Sequence, residues 1–289
     1  MKSKVNQILD VLKSNELYET KVTKIIELGL APELVDELFK KYEDDEDVRY
    51  TIGVEIECYN VNKRVFEEQC DLNGVAIVES GYNHETRPQF KTVPDSSITG
   101  NDPIECVTPI LRNQKDTDDL EKVCAALKTA GAKVNKSCGL HVHLGLQKMS
   151  FEQYKNIFIN YYYLEPAIDK FMAQSRRENG NAYCKSLKNI SIRDLREAQT
   201  QDEIKSVFSS DRYYKVNATS YQRHQTIEFR QHQGTTDFNK IEAWVMFCTL
   251  LANWSKKHTL NDYITEIDSI PFINKSEKNY FNKRANDLK

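Results

Sequence analysis

A basic surplus is missing from this chain. Its 289 residues carry a net charge of −3, so nothing draws the whole molecule to nucleic acid or to an anionic membrane. Any phosphate has to be held locally, by metal or by particular Arg and Lys side chains. Long apolar runs are missing too. The longest, AWVMFCTLLA (243–252), is too short to cross a bilayer and reads as a buried helix. The opening stretch MKSKVNQILDVLKSNE holds no apolar segment of signal-peptide length. The seven cysteines are an odd number with no pair at CxxC spacing, which predicts reduced, mostly buried thiols and a cytoplasmic location. There is no P-loop, no GxGxxG, no nucleophile elbow, no internal repeat and no low-complexity tract.

What is present suffices for a sizeable core: 39% of residues are hydrophobic and 29% charged, enough for one large domain or a main domain with an appendage. Residues 3–43 read as two or three short helices, with Gly29 as a C-cap and Pro32 in the first turn of PELVDELFKKY. The acidic run EDDED (43–47) reads as a solvated linker. It divides a helical segment, 1–47, from a main domain, 48–289. The helical segment either binds a protein partner or braces the main domain.

From Tyr50 the apolar period changes to two. TIGVEIECYNV is a strand, as are NGVAIVES, PIECVTPIL and AKVNKSCGLHVHLGL, whereas GYNHETRPQFKTVP reads as a loop. DTDDLEKVCAALKTAG (116–131) is a helix capped by Asp116 or Thr117 and ended by Gly131. MSFEQYKNIFINYYYLEPAIDKFMAQS is a long helix opened by a Ser150–Gln153 capping box, with Pro166 as a point of kinking. SIRDLREAQTQDEIKSVF makes one or two helices. DRYYKVNATSYQRHQTIEFRQH reads as a hairpin, followed by a helix over 239–255.

Chemistry concentrates where alternation puts two polar side chains on one strand face. Glu55 and Glu57 share a face in GVEIECY, His141 and His143 in GLHVHLG, and Glu228 and Arg230 in TIEFRQHQG (226–234); His232 follows two positions on. Glu-x-Glu is either a divalent-cation ligand pair or a solvated edge. Glu105, between Ile104 and Cys106, needs a partner. His141 and His143 are ligands or satisfied core histidines. Arg230 is a phosphate-neutralising guanidinium or the ion-pair partner of Glu228. Arg176 and Arg177 stand in a polar loop. Three such strands together point to one shared polar face, on which Glu228 and Arg230 act separately instead of pairing.

In order, GVEIE, IECVTPIL, GLHVHLG, SRRENGNAYC and TIEFRQHQGTTDFNKIEAW make residues 50–255 resemble the amidoligase family. These are carboxylate–amine ligases of the glutamine synthetase and glutamate–cysteine ligase superfamily. The resemblance implies an α+β fold: a curved antiparallel sheet, helices on its outer face, and a concave face holding ATP and Mg2+ (or Mn2+). It implies metal ligands at Glu55, Glu57, Glu105, His141 and Glu228. It also implies nucleotide or phosphate contacts at His143, Arg176 or Arg177, and Arg230, which stabilises the phosphoryl group in transfer. The implied reaction joins a small-molecule or peptide carboxylate to an amine through an acyl phosphate, with His84 or Asp95 among the possible bases. One departure stands out: Thr226 occupies a position where glutamine synthetases carry a substrate-binding arginine. Two other readings compete. One is a cupin-like oxygenase with a two-histidine, one-carboxylate iron site; the other is an inactive binding module.

Overall fold

The computed structural model describes residues 7–8, 11, 18–35, 50–81, 83, 85–147 and 149–288. The chain separates into two compact units, Met1–Arg49 and Tyr50–Lys289. In the first, helix α1 (Tyr18–Glu27) gives way at Gly29, whose φ is 86°, and Pro32–Leu34 form a single 3-10 turn. Ile25 and Val35 are buried together against Ile8, Val11, Val22 and Leu30. The expected helix over PELVDELFKKY and the acidic linker fall largely or wholly outside the described residues.

The second unit is built on a seven-stranded sheet. Its strands are β1 (Ile52–Cys58), β2 (Ile77–Glu79), β3 (Phe90–Val93), β4 (Ile104–Val107), β5 (Gly139–Gly145), β6 (Val216–Asn217) and β7 (Thr226–Gln233), in the order β2-β3-β4-β1-β5-β7-β6. The α+β class is as expected, but the sheet is open and mixed instead of curved and wholly antiparallel. β2 and β3 run parallel, the one parallel pair among the strand pairings of the described residues.

The strand alternation has a direct packing consequence. Val54, Ile56 and Cys58 of β1, Leu140, Val142 and Leu144 of β5, and Ile227 and Phe229 of β7 join one buried cluster. That cluster also takes in α3 (Gln114–Thr129), α4 (Phe151–Lys170) and α8 (Phe238–Ser255), through Leu120, Val123, Phe158, Leu164, Trp244 and Leu251. α4 opens with the expected capping box and runs through Pro166. The opposite sheet face is left for the polar residues.

Several local expectations are corrected. α3 begins at Gln114, not at 116, because the Asn113 side chain accepts from the Asp116 N–H and caps the helix. An unanticipated helix, α2 (Lys63–Leu72), buries Phe66 and Cys70 four residues apart. The supposed loop 81–94 ends in β3, all four residues of which are buried. The 191–208 stretch forms two helices, α5 (Ile192–Glu197) and α6 (Gln201–Val207). The hairpin is interrupted by a turn of helix, α7 (Ser220–His224), and Gln225 then takes a left-handed φ of 54°. A last helix, α9 (Lys275–Asp287), closes the chain.

A β-bulge in β7 changes the assignment of one residue. Val142 pairs with Phe229 but Leu140 pairs with His232, so His141 faces two residues, Arg230 and Gln231. The extra residue reverses the parity of the strand. His232 is therefore not on the face of Glu228 and Arg230. It lies among the helices, with its ring 5.7 Å from Trp244 and Nε2 3.2 Å from Arg284.

Candidate active site

Register brings the polar pairs together. Glu55 lies opposite His141, Glu57 opposite Glu105, and His143 opposite both Gly53 and Glu228. Paired residues share a face, so four strands contribute to one patch. Within it, His141 Nδ1 is 3.0 Å from Glu55, His141 Nε2 is 3.4 Å from Glu57, and His143 Nε2 is 3.5 Å from Glu55. Glu57 also accepts the backbone N–H of Gly139.

Glu228 and Arg230 do pair, contrary to the expectation that they act apart. The guanidinium donates to one Glu228 oxygen while Asn217 donates to the other at 2.6 Å. The cause is the site itself: side chains two apart on a strand lie within reach, and the guanidinium is the nearest countercharge. Burial alone would raise the Glu228 pKa, but Arg230 with His143 and His141 outweighs it and holds the carboxyl at about 2. Glu55 is likewise held well below the usual carboxylate range, since hydrogen bonds from His141 and His143 overcome burial. Glu105 goes the other way: burial, then the carboxylates of Glu55, Glu57 and Asp95, push its pKa well up. Burial would lower His143, but Glu228 and Glu55 raise it.

The donor set suits hard divalent cations. Among the described residues three groups have ligand atoms within 4.8 Å of one another: Glu55–His143–Glu228, Glu55–Glu105–His141 and Glu57–Asp95–Glu105. They overlap through Glu55 and Glu105, so they form one continuous acidic strip. Burial first, and then the neighbouring carboxylates, raise the Glu105 pKa, and carboxylate-rich sets are how Mg2+ and Mn2+ are held.

Of the two loop arginines, Arg176 reaches the site and Arg177 does not. Arg176 ends a 3-10 turn, Gln174–Arg176, and is 2% exposed. A Cβ on Gly139 would sit 2.8 Å from His141 Nε2 and 3.2 Å from the Arg176 guanidinium. Arg177 instead donates to the backbone oxygens of Met172 and Leu288. Asp95 joins the site beside Glu57 and Glu105, while His84 lies outside the described residues. Thr226 is not idle: its hydroxyl is 2.9 Å from His143 Nδ1 and fixes that ring.

Sequence reasoning missed the support behind the site. Lys215, fully buried, donates to Glu165 at 2.8 Å and to Asp169 at 2.6 Å, both on α4. Gln231, the bulge residue, donates to Asp169 and to the backbone oxygen of Arg176, tying the arginine's turn to the sheet. No motif marks these residues. Asn217 was equally silent, although its place opposite Glu228 follows once β6 is known.

Three cavities meet at Glu55. One of about 560 Å³ is basic, with Lys205, Arg212, Arg223 and Arg230 in its walls. One of about 470 Å³ includes Asp95, Glu105, His141, Arg176, Tyr183 and Tyr213. The third, of about 300 Å³, runs along the β1–β4 side past Lys91, Val107 and Ile110.

No curated protein matches the chain in sequence. Five solved chains match, among them a bifunctional glutathione synthetase from Pasteurella multocida, at 11% identity and a TM-score of 0.41. That alignment covers 86% of this chain and 42% of the other, so the chain spans less than half of that enzyme. Residues 48–252 match the model of the family described as "Putative amidoligase enzyme". With most of its length matched, and with every motif strand contributing to the patch around Glu55, the chain belongs to that amidoligase family.

Proposed function

We propose that the protein is an ATP- and Mg2+-dependent carboxylate–amine ligase. A substrate carboxylate takes the γ-phosphoryl group of ATP, and an amine then displaces phosphate from the acyl phosphate to leave an amide, ADP and phosphate. Family membership supports the ligase class. The observation that carries the finer reading is the overlap, among the described residues, of three cation-capable groups through Glu55 and Glu105, bordered by the buried Arg176 and the half-buried Arg230.

Glu55, Glu57, Asp95, Glu105, His141, His143 and Glu228 would hold the cations, which when bound neutralise crowded phosphate oxygens. The basic cavity fits a triphosphate, with Lys205, Arg212 and Arg223 as its cations. With a cation held by Glu228, Arg230 would be free to meet the phosphoryl oxygens, where its planar fork would stabilise the charge of the transfer. Arg176, with a buried Nε that has no partner among the described residues, approaches the same strip from the other side. Each cation-capable group contains at most one histidine among the described residues, which disfavours a two-histidine iron site.

The test is ADP release across a panel of carboxylates and amines, with mass spectrometry of the product. Wild type is compared with Glu228→Gln and Arg230→Ala, for which losses of about 100-fold or more are expected. Background ADP release in all three proteins would sink the proposal.

A further inference from the structure

Lys91 is a buried cation that the ligase chemistry leaves unused. Strand pairing sets Lys91 opposite Val107, Val107 opposite Glu55, and Glu55 opposite His141. The row across the reactive face therefore reads ammonium, apolar side chain, carboxylate, imidazole. Lys91 is 3% exposed. Its Nζ donates to Asn83 O at 3.3 Å, Asn83 Oδ1 at 2.9 Å and Glu85 O at 2.7 Å. All three acceptors are neutral oxygens. Among the described residues no carboxylate lies within ion-pair distance of it, and the Glu85 carboxylate is taken by Arg87 at 2.9 Å. An ammonium buried without a counterion is costly, and burial pulls the Lys91 pKa down while Glu105 and Glu55 act on it in the opposite direction.

The third cavity, about 300 Å³, is walled by Lys91 and by both residues that its Nζ bonds, Asn83 and Glu85. Its walls include Val107, Pro109 and Ile110, together with Glu55 and Glu105. The backbones of Lys91 and Glu55 stand two strands apart, about 10 Å at the usual strand spacing, and the two side chains make no ion pair among the described residues, so a single carboxylate held by Lys91 stops short of the Glu55–Glu105 edge. An aliphatic chain of four or five carbons can.

We propose that this cavity takes a short aliphatic dicarboxylate, with Lys91 anchoring the carboxylate that does not react and the second carboxylate delivered to the Glu55–Glu105 edge. The anchoring carboxylate replaces the long contact to Asn83 O and supplies the missing counterion. The chain lies over Val107. Phosphate is the weaker occupant, because the neighbouring basic cavity offers Lys205, Arg212 and Arg230, whereas here Lys91 has only Arg223 as a second permanent cation. The anchoring half of the proposal is independent of the ligase reading; delivery to the Glu55–Glu105 edge rests on it.

Calorimetric titration of the full chain in Mg2+ separates the outcomes. The probes are glutarate against valerate, succinate against butyrate, and ADP and inorganic phosphate as separate arms. In wild type each diacid binds at least about tenfold tighter than its monoacid, the worth of one charged hydrogen bond. Lys91→Met abolishes that preference and leaves ADP and phosphate affinities unchanged. Ile110→Trp fills the cavity with Lys91 intact and also abolishes diacid binding, which decides the matter if the lysine variant does not fold. Equal binding of diacid and monoacid, no binding of either, or loss of ADP or phosphate affinity in Lys91→Met would overturn the proposal. Diacid binding through Lys91 without ADP release in any assay would keep the subsite and reject the ligase.

Discussion

At the scale of single residues, two positions are decided by what touches them. Gly139 leaves room for His141 and Arg176 to converge, and an added methyl would meet His141 Nε2 at 2.8 Å. Gly139→Ala is expected to weaken Mn2+ binding by about tenfold or more, as displaced ligand geometry does, while Tm changes little; calorimetric titration checks this. His232 is buried between Trp244 and Arg284, and its Nδ1 lies 2.7 Å from the Gln233 carbonyl oxygen. Arg284 donates to Nε2, so the ring is neutral with its proton on Nδ1. Burial and the Arg284 charge hold its pKa well below the ordinary value. The unfolded chain binds a proton near pH 6.5 that the folded chain refuses, so this contribution to stability is full above that pH. It is lost as pH falls towards the folded pKa, by at most about 1.4 kcal/mol per pH unit. Urea unfolding from pH 7 to pH 5 should show a steeper loss for wild type than for His232→Gln.

Elements differ in how openly they announce themselves. β1, β5 and β7 were legible because Val54 and Ile56, Leu140 and Val142, and Ile227 and Phe229 alternate against the polar pairs without interruption. β3 was not: Lys91 sits inside a four-residue strand in the five-residue interval between Pro88 and Pro94, and a buried lysine mimics a loop. The bulge was illegible because counting by twos assumes an unbroken ladder, and that is why His232 was placed on the wrong face. Lys215 stands 50 and 46 positions from Glu165 and Asp169, which are themselves one helical turn apart, so no local pattern joins the lysine to its carboxylates. Their network makes a firm prediction. Lys215→Met strands two buried carboxylates and is expected to cost about 3–5 kcal/mol in urea unfolding. Adding Glu165→Gln and Asp169→Asn should recover much of it, and no recovery would show that the lysine acts through packing alone.

For the whole molecule, the order of the motifs along the chain foretold which strands would carry the site but not their neighbours, because pairing is a long-range choice that each strand leaves open. The thiols are a check on the packing as a whole. All seven cysteines are free and buried, and burial pushes Cys58, Cys70 and Cys124 up to about 12. A thiol reagent at pH 8 should label none in the native protein and seven after denaturation; fast native labelling would contradict the packing described. Glu55 has a consequence at this same scale, since it forms a wall of all three cavities. Ligands that meet at one charged wall cannot bind independently, because whatever the first does to that charge the second encounters. For the two proposed guests linkage would make the effect mutual: the factor by which a nucleotide alters affinity for a diacid would equal the factor by which the diacid alters affinity for the nucleotide. A single carboxylate thereby gives the site an accounting of which guests are present.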